Sequence, residues 1–235
     1  AMPFVRFVQF MAGTAQPLLR DSQIHAFLGT VAAIVLLLAA AQVAAEGTVS
    51  EAVVRESLFN AVSILTGTGY ASTDYMQWGA FAALVFFFAG LIGGCAGSTS
   101  CSIKVFRYQL LFGAIRAQLA RIYAPHGVFE PRYQGRRVGE DVLNSVMAFF
   151  VFFVVTLGVL SVALSMTGLD FVTSVSGAAT ALANIGPGLG AEIGPTGNFA
   201  GLNDTAKWML SLAMLIGRLE LLAVYAIFTV AFWRA

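Results

Sequence analysis

Four stretches of the chain carry few or no charges over the length a membrane crossing needs: Ile24–Ala45, Tyr75–Ile103, Val142–Leu169 and Trp208–Trp233, the last interrupted by Arg218 and Glu220. An α-helix rises about 1.5 Å per residue, so about 20 apolar residues cross some 30 Å of hydrocarbon. The pattern predicts four spanning helices. Between the first pair lies Glu51–Thr73, and between the second pair Asp170–Asp204. Each opens on an acidic residue, continues as an apolar helix-compatible stretch and ends in a glycine cluster. Aligning Gly69 with Gly186 sets Leu65 over Leu182 and Ala61 over Ala178, and superposes the first and third spans. The chain therefore reads as one unit used twice: span, short helix, glycine loop, span.

The inner segments Ser57–Thr73 and Phe171–Ala191 are apolar enough to pass for spans. As full crossings they would put the acidic flanks Glu51, Asp74, Asp170 and Asp204 on alternating sides of the membrane. A helix of about 12–14 residues before the glycines is also too short to cross, which suits a re-entrant segment. Irregular backbone at that depth survives only where protein or water covers it.

Composition agrees: 58% of residues are hydrophobic and 11% charged, and mean hydropathy is +0.82, against roughly 25% charged residues in a soluble domain. The expected class is an all-α integral membrane protein. The net charge of +1 matters less than its distribution. Arg6, Arg20, Lys104, Arg107, Arg116, Arg121, Arg132, Arg136, Arg137 and Arg234 precede the first span, separate the second from the third, or follow the last. Glu46, Glu51, Glu56, Asp74, Asp170, Glu192 and Asp204 dominate the other side. The positive-inside rule then places both termini in the cytoplasm. Expected divisions are a cytoplasmic segment 1–23, a first unit 24–121, a cytoplasmic linker 122–140 and a second unit 141–235. No cleavable leader is visible, and the segment from Ala1 to Asp21 reads as the continuation of something earlier. Cys95 and Cys101 match neither a zinc spacing nor a disulfide framework and read as small buried residues. His25 and His126 read as interfacial or solvated. Arg132, Arg136 and Arg137 read as a solvated loop that could also touch anionic lipid or an acidic partner.

A dehydrated cation needs oxygen ligands, and the carbonyls of an extended strand supply them in a row. Successive carbonyls can face one axis only if some residues take torsions that glycine tolerates, which Gly67 and Gly69 can supply. A short helix in front would aim its partly negative C-terminal end at the membrane centre. Thr66 and Thr68 add hydroxyls that can hold the strand. Asn184-Ile185-Gly186-Pro187-Gly188 repeats the backbone logic with other side chains. Glycines that merely end helices would look the same in one loop; two loops at matching positions argue for the ion site.

On these residues the chain resembles the TrkH/KtrB/HKT superfamily of potassium transporters, most closely the second half of a bacterial TrkH-type subunit. The likeness runs from about Leu19 to the end. It is carried by Gly97-Ser98-Thr99-Ser100 with Ile103-Lys104-Val105-Phe106-Arg107, then Ala183-Asn184-Ile185-Gly186-Pro187-Gly188, Gly194-Pro195-Thr196-Gly197-Asn198-Phe199, and Gly217-Arg218-Leu219-Glu220. The resemblance implies four span–pore helix–span units around one potassium-channel-like pore, of which this chain holds two. It implies potassium or sodium contacts from the main chain of Gly67, Thr68, Asn184 and Ile185, supported by Thr66, Gly69, Tyr70, Gly186 and Pro187. Potassium enters as the transported ion, and no cofactor bound by this chain is expected. The expected partners are the other two repeats, a second subunit in a homodimer, a cytoplasmic TrkA-like nucleotide-binding regulator and membrane lipid, with no nucleic acid. The expected location is the bacterial inner membrane.

Two further features remain. Arg218 sits within an apolar span, where a charge costs about 2.5–3.5 kcal/mol on insertion scales. It either faces a watery cavity or snorkels beside Glu220, and residues two apart on a helix point in different directions. The run Gly90–Ser102 would make a poor continuous helix. It reads either as close packing through Gly90 and Gly94 or, as the resemblance implies, as an intramembrane gate formed by Gly93, Gly94, Gly97, Ser98, Thr99 and Ser100 together with Arg218. The family usually has Gly-Gly where this chain has Cys101-Ser102. Two rival functions stand beside potassium uptake. An intramembrane serine protease built on Ser98 would need a base within reach, and no histidine lies inside another span, His25 being at a span end. A secondary transporter with broken helices would be betrayed by a fixed coupling ratio.

Overall fold

The computed structural model describes residues 1–234; residue 235, which closes the second expected unit, lies outside them. Helix α1 (Phe4–Met11) and the single turn α2 (Gln16–Leu19) lead into α3 (Ser22–Glu46). Asp21 starts α3 as its N-cap, accepting from the Gln23 N–H at 3.0 Å and pairing with Arg6 Nε at 2.9 Å. Gly47, at φ 73°, ends it in the left-handed conformation that glycine adopts most readily. Next comes α4 (Glu51–Thr66), capped by Ser50. At 16 residues it is longer than the 12–14 expected, yet still short of a crossing. A 3₁₀ turn over Tyr75–Trp78 leads to α5 (Ala80–Leu91).

The second predicted span breaks after Leu91. Residues 92–104 are not helical, and α6 (Val105–Tyr123) resumes beyond them. In the linker, β1 (Arg132–Tyr133) and β2 (Arg136–Arg137) pair as a small antiparallel ribbon, and an isolated parallel bridge joins Ile92 to Ile103. The second unit holds α7 (Glu140–Ser165), α8 (Phe171–Ala183), a 3₁₀ turn at Phe199–Gly201, α9 (Asp204–Arg218), α10 (Leu221–Ile227) and α11 (Val230–Arg234).

Among the described residues two helices, Ser22–Ala45 and Glu140–Ser165, are long and apolar enough to cross a membrane. The fourth predicted span is not a continuous helix: α9 and α10 meet at 106°. The physical reason is Glu220, whose φ of 64° and ψ of 108° no α-helix accommodates. Arg218 accordingly lies at the end of a helix, not in the middle of one.

Two cores organise the molecule. The first gathers Phe27, Leu38, Leu65, Tyr75 and Phe86 around α3, α4 and α5. The second gathers Phe149, Phe153, Leu164, Leu182 and Leu210 around α7, α8 and α9. They exchange residues: Ile185 of the second unit belongs to the first core, and Ile103 of the first unit to the second. A Cβ on Gly90 would lie 2.6 Å from Ile185 Cδ1, so the absence of a side chain there admits the isoleucine. That exchange sets the two glycine loops against each other.

Candidate ion-conducting site

Helices α4 and α8 end alike. Gly67 (φ 69°) and Asn184 (φ 53°) are left-handed caps at aligned positions. The Thr68 N–H donates to the Ser63 carbonyl at 2.9 Å, and the Ile185 N–H to the Thr180 carbonyl at 3.1 Å, again at aligned positions. Asparagine is the non-glycine residue that best tolerates this torsion. Its side chain has a second use, donating to the Met214 carbonyl of α9 at 2.9 Å.

Beyond the caps the two loops touch. A Cβ built on Gly69 (φ 79°) would overlap the Ile185 carbonyl oxygen and lie 3.2 Å from Pro187 Cδ, while one on Gly186 (φ 123°) would lie 3.4 Å from Gly69 Cα. Thr66 and Thr68 join hydroxyls at 2.7 Å, and Thr66 also donates to the Val62 carbonyl at 2.7 Å. Thr68, Tyr70 and Gly186 are exposed, and Ile185 is buried. Among the described residues no N–H or hydroxyl donates to the carbonyl oxygens of Gly67, Thr68, Asn184 or Ile185. Unpaired carbonyls at the C-terminal ends of two short helices form a region of negative potential suited to a monovalent cation.

The break between α5 and α6 is a pinned loop. Gly93 N–H donates to the Ile103 carbonyl at 2.9 Å, Ile103 N–H to Leu91 at 3.2 Å and Val105 N–H to Gly94 at 3.0 Å, closing its neck. Inside it the Ser100 hydroxyl accepts from the Gly94 N–H at 3.1 Å, and Ser98 donates to the Cys95 carbonyl at 2.7 Å. Ser98 is thus engaged by its own loop. Ser102 has a φ of 60°, a strained value for serine. Its hydroxyl donates to the Gly90 carbonyl at 2.8 Å and lies 3.3 Å from the Ala183 carbonyl at the end of α8. The Ser102 hydroxyl thus ties the loop to the second glycine turn. The N-terminal segment also docks here, through Phe4 N–H to Gly97 O at 3.1 Å and Cys95 N–H to Ala1 O at 2.8 Å.

Arg218 donates through one Nη to the Thr99 carbonyl at 2.8 Å and the Cys101 sulfur at 3.2 Å. Glu220 turns the other way, pairing with Arg107 at 2.7 Å and Lys104 at 3.5 Å. Arg107 is steadied by the Phe149 ring, 3.7 Å from its centroid. These side chains surround a cavity of about 210 Å³ beside the loop. Three cations there face one carboxylate, an unfavourable setting for a passing cation. The spacing of Lys104, Arg107 and Glu220 in sequence offered no sign of this cluster, since the bend at Glu220 brings it together. Gly217, marked in the sequence only as part of the Gly217-Arg218-Leu219-Glu220 string, proves to be a close-approach point: a Cβ there would overlap the Leu182 carbonyl oxygen.

Comparison with known proteins gives one family. The family model for TrkH, a cation transport protein, matches residues 21–233. The Trk system potassium uptake protein TrkI of Halomonas elongata is 46% identical over 234 residues, which are 100% of this chain and 47% of that protein. The Trk system potassium uptake protein TrkH of Vibrio parahaemolyticus is 36% identical over 180 residues, 77% of this chain and 36% of that one. The crystal structure of the potassium transporter TrkH from Vibrio parahaemolyticus superposes with a TM-score of 0.91 at 31% identity, covering 99% of this chain and 50% of that one. The chain spans about half the length of the curated relatives it matches.

Proposed function

Because the chain belongs to the TrkH family of cation transport proteins, we propose that it supplies two of four units of a potassium-conducting pore. Residues 24–121 and 141–235 are the two units, and 122–140 the linker between them. The carbonyls of Gly67, Thr68, Asn184 and Ile185 line the selectivity filter, with Thr66, Gly69, Tyr70, Gly186 and Pro187 as its frame. The observation that carries this reading is the pair of touching loops whose four carbonyls accept no hydrogen bond among the described residues. The loop from Gly93 to Ser102, held by Arg218, restricts passage. The charge distribution supports a bacterial inner-membrane location with both termini cytoplasmic. The remaining two repeats, a second subunit and a cytoplasmic nucleotide-binding regulator complete the machine. This is transport, not catalysis.

The test is potassium uptake and potassium-over-sodium selectivity of the complete subunit in an uptake-deficient host. At Gly67 an added Cβ comes 3.4 Å from the Asn184 carbonyl oxygen, so Gly67→Ala carries mainly a torsional cost of about 1–2 kcal/mol. At Gly69 the same Cβ overlaps the neighbouring loop. Gly69→Ala should therefore abolish uptake or selectivity while Gly67→Ala weakens it. Normal uptake and selectivity in Gly69→Ala refute the filter assignment. A fixed coupling ratio to a second ion would favour a secondary transporter instead.

A further inference from the structure

A strand whose carbonyls must stay free for an ion cannot be held by its own hydrogen-bond ladder, so its shape has to be imposed from behind. In the first unit Asn60 of α4, 1% exposed, does this for Ser72. Its Oδ1 accepts from the Ser72 N–H at 3.0 Å, and its Nδ2 donates to the Ser72 hydroxyl at 3.0 Å and the Glu56 carbonyl at 2.9 Å. In the second unit Ser176 of α8, 3% exposed, grips Leu189. The Ser176 hydroxyl accepts from the Leu189 N–H at 2.9 Å and lies 3.3 Å from the Leu189 carbonyl. With Gly69 aligned on Gly186, Ser72 and Leu189 occupy the same position, the third residue past the filter glycine. Asn60 and Ser176 do not align; they come from adjacent turn positions and differ in size and chemistry. Two unrelated side chains thus reach one backbone N–H, which points to a requirement at the gripped position and not to a relic of duplication.

The inner end of the strand is treated unequally. Thr180 accepts from the Gly186 N–H at 3.1 Å. Its aligned counterpart Ser63 is buried with a hydroxyl that has no partner among the described residues, and the Gly69 N–H reaches the Ser63 carbonyl at 3.3 Å. The first loop is therefore held at its inner end by the Ser63 carbonyl and at its outer end by the Asn60 side chain.

We propose that Asn60 and Ser176 are the specificity-determining positioning residues of the two filter strands. They touch no ion; they set how far the carbonyls can close inward. Whether a filter discriminates by cavity size or by carbonyl number and field strength, a strand released at its outer end can follow the smaller sodium ion. The proposal rests on the filter reading above.

The complete subunit is reconstituted in vesicles and the ratio of potassium to sodium flux is measured. Asn60→Leu, at similar volume, and Ser176→Ala, which deletes only the hydroxyl, remove the grips and should lower the ratio by roughly tenfold, the equivalent of one or two lost hydrogen bonds. Ser176→Thr, which keeps the hydroxyl, should retain it. If Asn60→Leu does not reach the membrane, Ser72→Ala at the exposed end of the contact replaces it, with a smaller fall of the same sign expected. Selectivity lost in Gly69→Ala but unchanged in the grip variants overturns the proposal and leaves the filter standing. Selectivity unchanged in all of them overturns the filter reading as well.

Discussion

Replacing Gly217 with alanine tests how tightly the bend after α9 is coupled to α8. The added methyl would overlap the Leu182 carbonyl oxygen and lie 2.8 Å from the Leu182 carbonyl carbon and 2.9 Å from Asn184 Nδ2. The first two are backbone atoms and cannot rotate away. Helix α9 must then withdraw from α8 by on the order of 1 Å to restore van der Waals separation. Two contacts go with it: Asn184 Nδ2 to the Met214 carbonyl at 2.9 Å, and Arg218, the next residue, to the Thr99 carbonyl at 2.8 Å. Overpacking of this kind costs about 1–3 kcal/mol and an orphaned amide about 1 more. At roughly 2–4 °C per kcal/mol for a chain of this size, the melting midpoint of the purified protein should fall by about 5–15 °C. On the proposed function unstimulated potassium flux should rise, because the loop from Gly93 to Ser102 loses the arginine that holds it. Gly158→Ala, where nothing lies within 4 Å of the added methyl, is the neutral control. A Gly217→Ala protein that melts and conducts like the parent would show that α9 is free to slide, and that the approach to Leu182 constrains nothing.

Arg218→Ala should raise basal flux, and Arg218→Lys should restore it only in part, since the shorter lysine stem ends before the position from which one Arg218 Nη reaches both Thr99 and Cys101; equal flux in all three would remove the arginine from the proposed gate. Ser102→Gly relieves a left-handed serine but deletes its tie to the Gly90 carbonyl, so loop opening, read by accessibility of Cys101 to a thiol reagent, should increase; unchanged labelling would count against the tie. Asp170 is held below its ordinary value of 3.8 by hydrogen bonds from the Thr173 side chain and then from the Thr173 and Val172 N–H groups. Its folded value is depressed, so its contribution to α8 is present above the ordinary value and lost as pH falls through the lower folded value. Asp170→Asn should therefore flatten the acid limb of thermal stability; an identical limb in both proteins would contradict the capping role.

Much of the architecture is legible in one dimension because the bilayer acts as a solvent with one demand: an exposed crossing must be apolar and about 20 residues long. Hydropathy therefore finds α3 and α7, and the glycine clusters find the ends of α4 and α8, since a left-handed turn selects its residue locally. The buried polar residues Asn60, Ser63, Ser176 and Thr180 were visible too, as hydroxyls and an amide in otherwise apolar helices, but nothing in their spacing names their partners. Hydropathy fails at the fourth span because an apolar run looks the same whether straight or folded at Glu220.

By itself, then, the sequence determined the membrane class, the duplicated unit and the two glycine turns, all of which follow from composition and local torsion. Only the tertiary structure decided that Ile185 sits under Gly90, that Gly69 meets the Ile185 carbonyl, and that Arg218 and Glu220 part to opposite partners. Those are contacts between residues far apart in the chain. They depend on how closely two backbones can approach, a quantity that no residue carries alone.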